Sequence, residues 1–406
     1  MLSLSRFYSV LHHSLIKPFD GRSVYFYPFG SYDNIHNITD RFDQTEHFHI
    51  PHYFSRKQGF YHCYFFDQEP FYTSAEQFLG RINHPNNDFE GPNRFKILAV
   101  SERSDAVEEY VRKYQYFRWY YFFHGFAALD WYRDFQYVEP EFFNQYDKVF
   151  ICYNNLISKY RSYRLHLVSN LISQDLIQHG SVSMQLSDTD GTWRQEIEDP
   201  DSHLSNLARV KIFKTLRNVT EPLVIDTDRP HGALSADVQL DQLTSALWHV
   251  VTETVYYLPK LHLTEKVFKP IVARRPFLLA AAPGNLAYLK SYGFRTFDRW
   301  VDESYDTEPD HYIRIEKITA ELARLCALGP TRLKQMHQEM QEVLEFNFNH
   351  FYGDFKRIIV DELIYNYEHI LCRINNGRVP NNHSRHHQRY DLPAGRTDTL
   401  KQRLYR

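Results

Sequence analysis

Cysteine is scarce: Cys63, Cys152, Cys326 and Cys372 are the four in 406 residues, and no two form a C-x-x-C pair. That excludes a disulfide scaffold and a thiolate zinc site, and it fits a reducing compartment. Long apolar runs are missing as well. None reaches the roughly 18–20 residues that span a bilayer. The stretch from Phe7 to Ile16 contains two His and lacks a small-residue cleavage site, so no signal peptide is expected and the two N-x-T triplets at Asn37 and Asn218 read as chance. A cytoplasmic protein is the expectation. Strong charge of one sign is absent too. A net −3 argues against a surface coated by nucleic acid along its whole length. With 43% apolar and 24% charged residues, the chain is neither disordered throughout nor collagen-like.

Aromatics are abundant instead, 30 Tyr and 31 Phe, concentrated in the first third. Val24–Phe29, Tyr61–Phe66 and Phe95–Val100 are short, β-prone and bounded by Gly, Pro or Asp, which predicts buried strands. Ser101 or Ser104 then caps a helix through Tyr114. A second series begins near Asp147: a strand at Lys148–Tyr153, a helix over Tyr160–His179, an exposed acidic loop over 185–203, strands at Glu221–Asp226 and Leu247–Thr252, a helix from Thr264 to Ala273, and a strand at Pro276–Ala280. Residues 316–346 read as helix broken at Gly329-Pro330. Strands alternating with helices predict an α/β fold. The end differs: residues 373–406 hold eight basic residues and two Asp, a net of +6, and no apolar period, so they read as a disordered basic tail.

One window concentrates unusual choices. Trp248–Thr254 feeds Glu253 into a loop, and Thr264-Glu265-Lys266 opens a helix before Arg275-Pro276-Phe277. Backbone N–H groups at a helix start, with a Lys in its first turn, suit a diphosphate. A carboxylate beside them suits two vicinal ribose hydroxyls. Together they are the parts of a nucleotide-sugar site. The same residues also read as an ordinary capped helix with a solvated Glu and Lys.

Thr252-Glu253-Thr254, a nine-residue loop, Thr264-Glu265-Lys266, an apolar helix and Arg275-Pro276-Phe277 resemble the donor-binding signature of the α1,3-fucosyltransferase family. That family shows a Phe-Glu-Asn strand end, a short loop, Thr-Glu-Lys and a Val-Pro-Val strand. Tyr153-Asn154-Asn155, with Arg161 and Arg164 downstream, resembles its Ser-Asn loop, and Phe65–Pro70 resembles the segment bearing its catalytic carboxylate. Thr254 stands where the family has Asn, and Leu261 or His262 stands near its Tyr. The resemblance therefore bears on nucleotide-sugar binding rather than on guanine or fucose specificity. Tyr121–Gly125, Ala128–Arg133, Gly293–Phe297 and Asp302–Asp306 are similar instead to glycosyltransferase-like proteins of bacteriophages and aquatic microbes.

The resemblance implies a GT-B fold of two Rossmann-like domains: an acceptor-side domain over 1–146, a donor domain over 147–345, and a C-terminal helix over 346–372 before the tail. It implies an inverting transfer with no bound metal or other cofactor. Glu265 would bind the ribose, Lys266 and Arg164 or Arg161 the diphosphate, and Glu253, with Thr254 and Thr264 beside it, would shape the donor pocket. The acceptor would be a glycan or, in a phage setting, a modified DNA base. An inverting transfer needs a carboxylate to accept the acceptor's proton. Glu69 is the first choice because Asp67–Pro70 follows an apolar strand, at the carboxyl end where α/β ligands bind. Asp67 is second, with Glu102, His124 and Asp130 behind it. Trp131, Tyr132 and Arg133 can stack on a sugar or base, so His124, Asp130, Trp131 and Arg133 form the expected acceptor set.

A rival reading rests on D-x-D pairs. Asp188-Thr189-Asp190 and Asp226-Thr227-Asp228 both have the form with which metal-dependent GT-A transferases hold a divalent cation on the diphosphate, and the second follows a predicted strand. A non-catalytic protein binding a nucleotide-sugar or nucleic acid is the third reading. The oligomeric state is left open.

Overall fold

The computed structural model describes residues 23–26, 62–66, 70, 96–105, 107, 117–121, 125–139, 145–225, 239–359 and 362. The chain divides into two compact units. One is Trp131–Gly353, and the other takes its described residues from the two flanks, 1–130 and 354–406.

The flanking unit contains a parallel sheet of β1 (Ser23–Phe26), β2 (His62–Phe66), β3 (Lys96–Val100) and β4 (Phe117–Tyr121), in that order. Ser23 pairs with His62, His62 with Lys96, and Lys96 with Phe117. Three of these strands lie within a residue or a few of the predicted ones; β4 was not expected. After β4, α1 covers Gly125–Trp131.

The unit Trp131–Gly353 is built on a second parallel sheet. Its strands are β5 (Lys148–Cys152), β6 (Gly180–Val182), β9 (Ala246–Thr252) and β10 (Phe277–Ala280), ordered β10-β9-β5-β6. Parallel sheets are covered on both faces, so their strands are apolar without alternation. All seven residues of β9 are buried accordingly. The apolar face of α2 (Tyr163–Ser173) supplies Leu165, Leu167, Val168 and Leu171 to this core. The predicted single helix to His179 stops at Gln174, and Asp175 adopts a left-handed φ of 56° before a 3₁₀ turn over Leu176–His179.

The segment expected to be an exposed loop over 185–203 is structured. β7 (Ser187–Asp188) and β8 (Gly191–Thr192) pair antiparallel, and α3 (Trp193–Glu198) follows. Thr192 and Gln195 form a reciprocal capping box at its start, and Trp193 and Ile197 are buried. The two apolar residues are easily overlooked among so many polar ones. α4 covers Asn206–Leu216, with Ser205 accepting from the Ala208 N–H. The strand expected at Glu221–Asp226 reduces to one antiparallel bridge between Leu223 and Met184 over its described residues. Val224 is 52% exposed, so this β-prone run lacks the side-chain burial that holds a strand in a sheet.

Further helices among the described residues include α5 (Leu240–Thr244), α6 (Phe268–Val272), α7 (Asn285–Ser291), α8 (His311–Cys326) and α9 (Pro330–His350). Gly329-Pro330 separates the last two, as predicted. Pro330 sits in the first turn of α9, where its missing N–H costs nothing. No helix among the described residues is long and apolar enough to cross a membrane.

A polar cluster joins α8 to α2 and α4. The Glu316 carboxylate takes Lys211 Nζ at 3.0 Å, Asn170 Nδ2 at 3.2 Å and lies 3.5 Å from His166 Nε2. The His166 contact, the Lys211 ion pair and Asn170 outweigh partial burial and hold its carboxyl down at about 2. A depressed folded-state value means stability that is present above the usual carboxylate range, near 4.3 for Glu, and lost as pH falls towards 2. Glu316→Gln is expected to cost about 1 kcal/mol at pH 7, a figure discounted for a half-exposed group. The gap from wild type in urea unfolding should close between pH 5 and pH 2; a gap independent of pH would refute the assignment.

Candidate active site

The chain runs from β5 outward to β6, then crosses to the other side of β5 to make β9. The chain therefore leaves β5 and β9 towards opposite edges of the sheet, and the strand order switches between these two strands. In open α/β sheets ligands bind at such a point. The loop after β5 holds Tyr153–Ser158. The loop after β9 holds Glu253–Thr264.

Both loops are pinned. Thr252 Oγ1 donates to the Tyr153 carbonyl at 2.8 Å. Asn154 is buried; its N–H donates to Ser183 Oγ at 2.9 Å and its Nδ2 to the Ser183 carbonyl at 3.1 Å. Asp188 accepts from the Ile157 N–H at 2.7 Å, from the Ser158 N–H at 3.0 Å and from the Ser158 hydroxyl. Burial works against its charge, but these bonds and one from the Asp190 N–H prevail and lower its pKa. The first D-x-D pair is thus engaged with this loop: Asp188 caps its backbone and Asp190 pairs with Lys159 Nζ at 3.0 Å. Lys159 itself holds a left-handed φ of 54°, and its N–H donates to Glu196 at 2.9 Å. A non-glycine residue in that region stores strain, which persists where surrounding contacts over-determine it.

Arg164, expected at the diphosphate, is turned inward and only 4% exposed. Its Nη1 donates to the Leu156 carbonyl at 3.0 Å and its Nη2 to the Thr252 carbonyl at 2.9 Å, with the Glu253 carbonyl at 3.5 Å. One guanidinium fork therefore ties the β5 loop to the end of β9. Tyr163 reinforces the tie, its hydroxyl donating to the Glu253 carbonyl at 2.6 Å. Arg161 lies in the preceding 3₁₀ turn, Lys159–Arg161, half-buried.

Glu253 is fully buried and acts as a latch. Its carboxylate accepts from the Thr264 N–H at 3.1 Å, the Thr264 hydroxyl at 2.6 Å and the Thr254 N–H at 3.3 Å. Burial raises its pKa, against the lowering effect of Lys266 and the Thr264 hydroxyl, while Glu265 adds to the rise. Thr264 in turn caps the Glu265–Val267 turn, accepting from the Lys266 N–H at 3.3 Å. The predicted helix from Thr264 is thus a 3₁₀ turn running into α6. Thr254 is buried.

Lys266 Nζ lies 3.0 Å from Glu265 Oε1 and 3.2 Å from Thr264 Oγ1. The Lys266 side chain is 33% exposed and that of Glu265 is 5% exposed, so a partly open lysine lies against a nearly buried carboxylate. The loop from Glu253 to Thr264 is fixed by Asn285, which takes the His262 N–H at 2.8 Å on Oδ1 and donates through Nδ2 to the Lys260 carbonyl at 2.9 Å. Gly284, at a left-handed φ of 83°, turns the chain from β10 into α7 and so places Asn285. Arg275, third of the sequence blocks, sits at the opposite end of the sheet. It donates to the carbonyls of Ala246, Thr244 and Gln145, and burial pulls its pKa to about 10.

The expected catalytic carboxylates Glu69 and Asp67 lie outside the described residues, as do His124, Asp226 and Asp228. Asp130 falls in α1. Glu102 is buried just beyond β3 and accepts from Ser104 Oγ at 2.7 Å. Trp131 is 8% exposed, so it serves the core of its unit. Tyr132 is fully buried, its hydroxyl 3.4 Å from the Glu265 carbonyl. Burial pushes its pKa up, and the charges on Glu265 and Glu253 add to this. Arg133 is half-buried in the turn that follows, 3.9 Å from Asp134. Among the described residues no group of three or more His, Cys, Asp or Glu is placed to hold a metal ion. Ser183 and Asn285 belong to no sequence motif and act through partners more than 20 residues away, so nothing local in the sequence marks them.

Compared with known protein families and with curated proteins, the chain matches none of them.

Proposed function

We propose that the chain is a glycosyltransferase that takes a nucleotide-activated sugar at the carboxyl ends of β5 and β9. The observation that carries this reading is the Glu265–Lys266 pair, 3.0 Å apart and capped by Thr264, on a loop that leaves the sheet where its strand order switches. In this reading the Lys266 ammonium meets the diphosphate and neutralises the charge that grows on it as the sugar departs. Glu265 orients that ammonium and accepts from the vicinal ribose hydroxyls. Arg164 acts through the backbone it clamps, and Glu253 holds the loop that presents both groups.

A parallel four-stranded sheet in each unit supports a GT-B organisation, with the donor on the unit Trp131–Gly353 and the acceptor on the flanking unit. Glu69 is the proposed base. As a carboxylate it accepts the proton of the acceptor hydroxyl while that oxygen displaces the nucleoside diphosphate, with inversion at the sugar carbon. A glycan or a modified DNA base is the acceptor.

Thermal melting with nucleoside diphosphates and their sugars tests the reading. A ligand of the native state at 100 times its Kd adds about 2.7 kcal/mol, so at least one should raise the melting temperature by several degrees. No shift with any of them would end the proposal.

A further inference from the structure

We propose that the outward face of α4 docks on an anionic lipid surface. α4 is amphipathic twice over. Its inner side buries Ala208, Ile212 and Leu216 at every fourth position. On the other side Leu207, Val210 and Phe213 are exposed by 63%, 51% and 43%. Val210, Phe213, Lys214 and Arg217 follow the i, i+3, i+4, i+7 spacing of one helical face. Leu207 lies one turn before Val210, and Lys211 one turn after Leu207. Aliphatic and basic side chains therefore interleave on a single strip.

The charged residues of the helix and its carboxyl end are all basic. From 202 to 220 there are four, Arg209, Lys211, Lys214 and Arg217, and no acidic residue; Glu198, Asp199 and Asp201 precede the helix and Glu221 follows it. Arg209 is spent on the carbonyls of Leu204, Ile197 and Ser202, and Lys211 on Glu316. Lys214 and Arg217 are exposed. Arg194 adds a further cation, 4.4 Å above the Trp193 ring and 6.0 Å from that of Phe213.

Exposed aliphatic side chains between cations are what an interfacial helix presents: the apolar groups enter the acyl boundary while the cations meet lipid phosphates. A nucleic acid would meet the cations equally well but gains little from Leu and Val, since its bases are held by stacking on aromatic rings.

Co-sedimentation of the full chain with vesicles tests the proposal. Vesicles rich in phosphatidylglycerol should bind it and purely phosphatidylcholine vesicles should not, with binding weakened by 0.5 M salt. Leu207→Ser/Val210→Ser and, separately, Lys214→Glu/Arg217→Glu should each lower the partition by roughly tenfold or more. The positions are exposed, so both variants should keep the wild-type melting curve, and if one does not, the other decides. Absence of wild-type binding to anionic vesicles would overturn the proposal. So would binding that both variants retain, which would place the contact elsewhere, as on the basic residues of 373–406. Retention on duplex DNA without vesicle binding would assign the strip to nucleic acid instead.

Discussion

Arg164→Ala is expected to lower folding stability by on the order of 3 kcal/mol, since each bond from a charged donor is worth roughly 1.5–3 kcal/mol and neighbouring bonds are not additive. The guanidinium reaches the carbonyls of Leu156 and Thr252 at 3.0 and 2.9 Å. Alanine removes the donor from the buried Thr252 carbonyl and from the part-buried Leu156 carbonyl. It also unties the β5 loop from the end of β9. Lysine is a poor substitute, because a single ammonium lacks the planar fork that serves both loops. Urea unfolding should therefore show a lower midpoint at unchanged slope for Arg164→Ala, with Arg164→Lys in between. A loss under 1 kcal/mol would mean that the inward clamp is not what orders these loops.

Lys266→Gln is expected to do the reverse, leaving the fold nearly intact while weakening nucleoside-diphosphate binding about 10- to 100-fold, the equivalent of roughly 1.5–3 kcal/mol for a charge-assisted contact. Glutamine is the better test than alanine. The Glu265 side chain is only 5% exposed, and alanine would take the Lys266 donor away from a nearly buried carboxylate. The carboxamide keeps a donor within reach and removes the charge. Titration calorimetry of both proteins reads the difference. Equal affinities would take the diphosphate away from Lys266 and with it the assignment of the loop.

The strands were legible where burial on both faces writes an uninterrupted apolar run, as in β5, β9 and β10. The helices were legible where their period or a Gly-Pro break marks them. Glu253, Thr264, Glu265 and Lys266 were legible as a group because they lie within one loop and its end. Their division of labour was not. Glu253 and Lys266 are both charged residues near a strand end in the sequence, yet one is a fully buried latch and the other is partly open. Arg164 at the start of a helix has the look of an anion ligand, and only the packing of α2 against β9 turns it inward. Asp188 looked like half of a cation pair, but its oxygens cap backbone N–H groups some 30 residues back. Partners that far apart leave no local pattern, and a two-residue strand such as β7 is too short to show a period.

Hydrogen exchange of the full chain, with and without the nucleoside diphosphates of guanine, uracil, adenine and thymine, addresses the proposed donor site most directly. At least one of them should slow exchange in the two loops that meet there, over Tyr153–Arg164 and Thr252–Lys266, and leave α9 unchanged. Protection confined to other segments, or no protection by any of the four at millimolar concentration, would contradict a nucleotide site at the switch between β5 and β9.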